Sequence, residues 1–292
     1  MVIVLLSGGL GNQMFQYAAA KSLAMRLNTS VSIDLYAFSK KTQATIRPYE
    51  LNIFNIENTT QSSSIKAKLV TKGRPFIQKH RAFFQKCGVF TDTYAILYQS
   101  AFEKMNGNII MSGYFQNEKY FKNIKEELRK DFSFKNPLSD KNLETANQIS
   151  DRQSVAVHIR RGDYLNKSTQ SNFIILDKAY YENAISHISE RIENPEFFIF
   201  SEDFEWIKEN LNFGNYPVNF IDWNKGQDSY IDMQLMSLCK HNIIANSSFS
   251  WWAAWLNNNT AKIVVAPERW FSDDQKNRLL DNFYPEGWIY KL

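Results

Sequence analysis

A chain of 292 residues that is 44% apolar and 15% aromatic has material for one large core or two of ordinary size. Its 34 Lys and Arg against 30 Asp and Glu leave a net charge of +4, without the clustered basic face of a nucleic-acid binder, so a small anionic partner fits better. The two cysteines have no CxxC neighbour and no histidine at metal-ligand spacing, which argues against a disulfide framework or a zinc site; both are expected to be reduced.

The chain opens with a strand, "VIVLL", a glycine turn, a helix, "NQMFQYAAAKSLAMRL", and a second strand, "SVSIDLY". This is a βαβ-like beginning. The five or six apolar residues ahead of the glycines are too few for a signal-peptide core and lack a basic leader, and no run approaches the roughly 18 apolar residues of a membrane helix. The expectation is a cytoplasmic protein of bacterial type. Residues 60 to 110 are less regular, and between Glu57 and Asp92 there are seven Lys and Arg but no acid. That stretch reads either as a solvated helical face or, over residues 66–86, as a peripheral contact with the inner membrane face or a lipid-linked substrate.

After a polar bridge, "KNPLSDKNLETANQISDRQ", strands "SVAVHI", "EFFIFS", "PVNFID", "HNIIAN" and "KIVVAP" alternate with helical segments of about 10 to 15 residues. Such alternation implies a parallel, doubly wound sheet. The fold expected is α/β, with two Rossmann-like domains, 1–148 and 149–292, facing each other across a cleft. Ligands in these sheets sit beyond the carboxyl ends of the strands, so the segments following the strands are where chemistry is expected.

In "SGGLGNQMF", Gly8, Gly9 and Gly11 allow positive φ and close backbone approach, and the helix that follows offers free amides to an anion or a sugar oxygen. Gly9-Leu10-Gly11 with Asp34 also suits a dinucleotide, but Met14 stands where that fingerprint needs a small residue. A purely structural tight turn is a third reading. In "SVAVHIRRGDYL", strand alternation puts His158 and Arg160 on one face and Arg161 on the other. A guanidinium fork suits a diphosphate, whereas Arg161 with Asp163 could be a strand-end ion pair. In "HNIIANSSFSWWAAWLN", Ser247 or Ser248 can cap a helix whose first amides, with Phe249 among them, face the same edge as Arg160; Trp251, Trp252 and Trp255 read mainly as core. Asp232 lies among apolar helical residues and must pair, either in a structural network or with a base or ribose. The chain has no GxxxxGK[ST], HExxH, GxSxG or D-x-D motif, so phosphate chemistry is expected to run on arginine and helix amides, with no metal.

"GGLGNQMFQYA", "HIRRGDY", "FSEDFEW" and "NSSFSWWAAWLN", in this order over nearly the whole chain, resemble the α-1,2-fucosyltransferases of glycosyltransferase family 11. The resemblance implies a GT-B type fold and inverting transfer of L-fucose from GDP-β-L-fucose to the 2-OH of a terminal galactose, on an oligosaccharide or a lipid-linked surface polysaccharide unit. It implies that GDP-fucose is held mainly by the carboxyl-terminal domain, the amino-terminal domain being the acceptor side. It matches His158 and Arg160 to a shared H-x-R-R-G-D motif whose arginine binds the diphosphate, both counted as catalytic and donor-binding, and it assigns Ser247 and Ser248 to the neighbourhood of the phosphates, Asp232 to the guanosine, and Asn12 to the reacting sugar and acceptor. Gly9 and Gly11 are expected to line the same cleft. Asp163, Glu202 and Asp34 are alternatives for a proton acceptor. Another GDP-sugar transferase, a non-catalytic nucleotide- or glycan-binding protein and a dehydrogenase are the competing readings.

Overall fold

The structure is a computed structural model and describes residues 1–39, 48–57, 59–62, 65–289 and 291. It divides into two compact units, Met1–Asn136 with Asn282–Tyr284, and Pro137–Asp281 with Pro285–Leu292.

The first unit is built on five parallel strands: β1 (Val2–Leu5), β2 (Val31–Asp34), β3 (Thr59–Ser62), β4 (Val89–Thr91) and β5 (Ile109–Ser112). Their order is β3-β2-β1-β5-β4, every pairing parallel. The first helix, α1 (Leu10–Arg26), connects β1 to β2 and is buried on most of its surface, as an Ala- and aromatic-rich helix inside a domain should be. Three short helices, α2 (Ile65–Lys72), α3 (Arg74–Lys79) and α4 (Arg81–Lys86), lead into β4, and α5 (Lys125–Asp131) follows β5. The strands β3, β4 and β5 fall in the stretch whose sequence pattern is irregular.

The second unit begins with α6 (Asp140–Asp151), whose Thr145 and Ile149 are buried. It continues with β6 (Gln153–Ile159), α7 (Lys167–Gln170), α8 (Lys178–Ser189), β7 (Pro195–Ser201), α9 (Phe204–Asn210) and β8 (Val218–Ile221). It ends with α10 (Tyr230–Leu238), β9 (His241–Ile243), α11 (Ser248–Leu256), β10 (Val264–Val265) and α12 (Asp274–Asn277). The sheet order is β10-β9-β6-β7-β8, again all parallel. Asp177, Asp203 and Ser247 cap α8, α9 and α11 with their side chains, which fixes where each helix starts. Because α6 packs on β6 and α10, the division falls at Asn136/Pro137 rather than at 148/149, a boundary that would cut through this helix.

The two sheets wind alike through their first three strands and differ in the order of the last two. From the central strand, β1 or β6, the chain moves outward on one side and then crosses back to the other, leaving a switch point between β1 and β5 and another between β6 and β9. In open parallel sheets the crevice beyond the carboxyl ends at such a point is where ligands bind.

Candidate active site

In the second unit the switch point collects the residues singled out by sequence. His158 is buried near the carboxyl end of β6, and its ring centroid lies 5.8 Å from that of Phe249 in the first turn of α11. Burial, with the Arg160 charge adding to it, pushes the His158 pKa down to about 3, so the imidazole is neutral at physiological pH. Its buried Nδ1 has no hydrogen-bond partner among the described residues. The Ser247 hydroxyl accepts from the Phe249 amide at 3.3 Å, so Ser247 is the cap and Ser248 the first helical residue. Trp251, Trp252 and Trp255 are buried core residues.

Two neighbouring arginines take different partners. Arg160 Nη1 donates to Glu202 Oε1 at 3.2 Å, just past β7, and Gly162 makes room for that carboxylate: a Cβ there would collide with it. Arg161 instead bonds Asp203 Oδ2 through Nε at 2.9 Å and lies 4.0 Å from the centre of the Trp206 ring. Asp203 is already the cap of α9, so Arg161 ties the end of β6 to the start of that helix. Strand alternation separates the roles of the two arginines but says nothing of their acidic partners, which lie just past the next strand, β7. The Asp163 side chain lies outside the described residues. Tyr164 closes the turn by donating its hydroxyl to the Asn246 carbonyl at 2.9 Å, joining the ends of β6 and β9.

Further along the same edge, beyond β8, Asn224 Nδ2 donates to Asp232 Oδ1 at 2.8 Å and also to Asn142 Oδ1 at 3.0 Å. The indole of Trp223 donates to the same Asn142 oxygen at 2.9 Å. Asp232 is therefore in a polar network, yet burial dominates and pushes its carboxyl up to about 7, the Asn224 bond lowering it only in part. A carboxyl whose native pKa lies above its unfolded value favours the folded state fully at low pH and loses that contribution as pH rises through about 7. Asp232→Asn, which keeps an acceptor for Asn224, is therefore expected to stabilise the protein more at pH 8 than at pH 4. Urea unfolding at the two pH values measures this; an equal effect at both would contradict the burial argument.

The first unit has its own polar edge. Of the three glycines ahead of α1, Gly8 has positive φ, +78°, whereas Gly9 is extended at φ −79° and Gly11 is buried in the first turn. The expectation of positive φ thus narrows to Gly8, where a Cβ would also stand 2.6 Å from Asn12 Nδ2. Asn12 Oδ1 accepts from Gln116 Nε2 at 2.7 Å, which leaves the Asn12 amide nitrogen as a donor at the crevice between β1 and β5. Two buried glutamines of α1, unremarked in the sequence, hold the surrounding loops. Gln13 donates to the carbonyls of Gly8 (2.9 Å) and Pro48 (2.8 Å) and accepts from the Glu50 amide (2.9 Å). Gln16 accepts from the Ser7 amide at 2.9 Å and donates to the Gly113 carbonyl at 2.9 Å. Asp34 is only 1% exposed and accepts from the Tyr36 amide at 3.0 Å. Met14 is buried where the dinucleotide fingerprint needs a small residue, which counts against the dehydrogenase reading.

A cavity of about 360 Å³ opens elsewhere in the second unit, beside β10, with Asp177, Glu268 and Arg269 in its lining. Asp177 and Glu268 set two carboxylates against one arginine, itself paired with Asp274 at 2.7 Å, so the lining favours no diphosphate. Both cysteines are free, Cys239 buried and Cys87 on the surface. No helix among the described residues is long and apolar enough to cross a membrane.

Two such parallel-sheet units give the chain a fold of GT-B type. A solved variant of Arabidopsis thaliana FUT1 in complex with GDP shares the fold, with a TM-score of 0.51, 9% identity and coverage of all of this chain and 76% of that one. The glycosyl transferase family 11 model matches residues 1–292, and the chain belongs to that family. It is 36% identical to an alpha-1,2-colitosyltransferase of Escherichia coli, over 99% of this chain and 98% of that protein. It is 29% identical to human galactoside alpha-(1,2)-fucosyltransferase 1 over 50% of this chain and 42% of that one.

Proposed function

We propose that the protein transfers L-fucose from GDP-β-L-fucose to the 2-OH of a terminal galactose, with inversion and without a metal ion. The observation that carries this reading is the convergence of Arg160, neutral His158 and the capped amino terminus of α11 at one switch point. All three can face a diphosphate: a guanidinium fork, an imidazole that donates without adding charge, and unpaired helix amides. As the anomeric C–O bond breaks, its electron pair goes to the β-phosphate oxygen, and these groups meet the charge that develops there. The acceptor hydroxyl oxygen bonds to the anomeric carbon from the opposite face, and its proton leaves to a base or to water. In the colitosyltransferase relative the transferred sugar lacks the 3-hydroxyl of fucose, so donor choice is the open variable within this reading.

Asn12 is assigned to orienting the acceptor or the fucose. Its amide cannot act as a base at neutral pH, and its oxygen is occupied by Gln116. Asn12→Ala is expected to lower turnover while GDP affinity stays within about twofold, because the diphosphate groups lie on the second unit. Parallel kinetics and calorimetry would show it; a matching loss of GDP affinity would move Asn12 to the donor.

Asp232 is assigned to the guanine edge, where a carboxylate accepts from ring and exocyclic N–H groups. Those donors favour the ionised form, so below about pH 7 GDP binding must displace a proton from Asp232. Affinity should climb by up to about tenfold per pH unit toward pH 7 and then level off, and Asp232→Asn should flatten that dependence. A profile unchanged in Asp232→Asn would remove the assignment.

The test of the function is transfer in EDTA from GDP-fucose, GDP-colitose and GDP-mannose to a panel of galactosides, with GDP release and product linkage both followed. An α-1,2-fucosylated product in EDTA is the expected result. Preference for GDP-colitose would change the donor and keep the site; no turnover with any donor would overturn the reading.

A further inference from the structure

We propose that the outward surface of α2, α3 and α4 docks the protein on an anionic lipid bilayer. This does not depend on which sugar is transferred, because it rests on a surface separate from the residues assigned to catalysis. One side of these helices is anchored. Ala67, Val70 and Ile77 are buried against Ile3, Leu5, Val89 and Ile110 of the first sheet, with Phe84 packed beside them.

The opposite side is apolar where water would be expected to select polar residues. Ile65 is 75% exposed, Leu69 63%, Phe76 61% and Phe83 64%. On α2, at about 100° per residue, Ile65 and Leu69 form one ridge, while the buried Ala67 and Val70 point roughly the other way. The same geometry sets Lys68 and Lys72 along one flank of that ridge and Lys66 along the other. Phe76 and Phe83 belong to one cluster, since both rings pack on Phe84, at 6.0 and 5.4 Å between centroids.

Charge decides between the occupants such a surface could have. Lys66, Lys72, Lys79, Arg81 and Lys86 are exposed, and among the described residues none makes an ion pair. Arg74 is used internally, bonding the buried Asp92 at 3.2 Å, and Lys68 lies 5.7 Å from the centre of the Tyr36 ring. No acid occurs from residue 58 to residue 91 to balance the set. A symmetric contact with a second copy would bring like charges together. Nucleic acid would match the charge, but the aliphatic Ile65 and Leu69 offer no stacking surface for bases. An anionic bilayer accommodates both features, with apolar tips entering the headgroup and acyl boundary and cations meeting lipid phosphate.

The experiment is co-sedimentation of the full chain with vesicles of phosphatidylcholine alone or with about 30% phosphatidylglycerol, at 50 and 500 mM NaCl. The expected result is binding to the anionic vesicles at low salt, lost at high salt. The double variant K72E/R81E should bind at least tenfold more weakly, since each cation near such a surface is worth about fivefold. F76S/F83S should also bind more weakly, and both variants should retain full transfer to a soluble acceptor. Absence of binding to anionic vesicles at 50 mM NaCl, or binding unaffected by K72E/R81E, would overturn the proposal. So would a concentration-dependent dimer abolished by F76S/F83S, or tighter binding to a DNA duplex than to anionic vesicles. Loss of transfer in the unmodified protein would instead count against the proposed function, leaving vesicle binding to be judged by itself.

Discussion

Arg160→Ala is expected to lower turnover on the order of 100- to 1000-fold while the protein stays folded. The size follows from the role proposed for the side chain. A preorganised cation facing the leaving diphosphate acts most strongly as charge accumulates, so its loss appears in kcat as well as in donor affinity. Folding should survive because the partner left behind is not stranded: the Glu202 side chain is 56% exposed and returns to water. Arg160→Lys keeps a charge but loses the planar fork, and its turnover should fall between the two. Circular dichroism and steady-state kinetics on the purified variants would decide it. A folded Arg160→Ala enzyme with normal turnover would take the diphosphate away from this edge of the sheet.

The second large effect is on stability. Gln16→Leu nearly conserves volume but leaves the Ser7 amide without its acceptor and the Gly113 carbonyl without its donor. Gln16 is fully buried, and unsatisfied buried polar groups cost about 1–3 kcal/mol each, so a total of about 2–6 kcal/mol is expected. The same change frees the turn that positions Asn12, so turnover should fall further than stability alone would dictate, with GDP affinity preserved. Urea unfolding at neutral pH together with GDP calorimetry would test both parts. An unchanged midpoint would mean that water replaces the glutamine.

The second sheet was legible because its signal is repetitive. Each strand there is a compact apolar run followed by polar punctuation, and three helix starts carry an Asp or Ser whose side chain caps them. The first sheet hid three of its five strands. β3 reads TTQS, an edge strand with no apolar residue, and β4 is three residues long, too short for any period to emerge. The helix α6 passed for a polar bridge because only Thr145 and Ile149 of its twelve residues are buried. At the candidate site, alternation along β6 separates Arg160 from Arg161, but it carries no information about the neighbouring strand that supplies Glu202 and Asp203. Gln13 and Gln16 were missed for a related reason: a polar residue in an apolar helix reads as a solvated position until the loops it bonds are brought to it.

On the proposed assignment of Arg160 to the diphosphate, its contact with Glu202 would make nucleotide capture an exchange of anions. The guanidinium is charge-compensated before any ligand arrives, so the gain on binding is the difference between a diphosphate and a carboxylate, not the full attraction of an uncompensated cation. Such a swap would damp the penalty that added salt imposes on binding. It would also release the Glu202 carboxylate, already half in solvent, each time a donor is loaded.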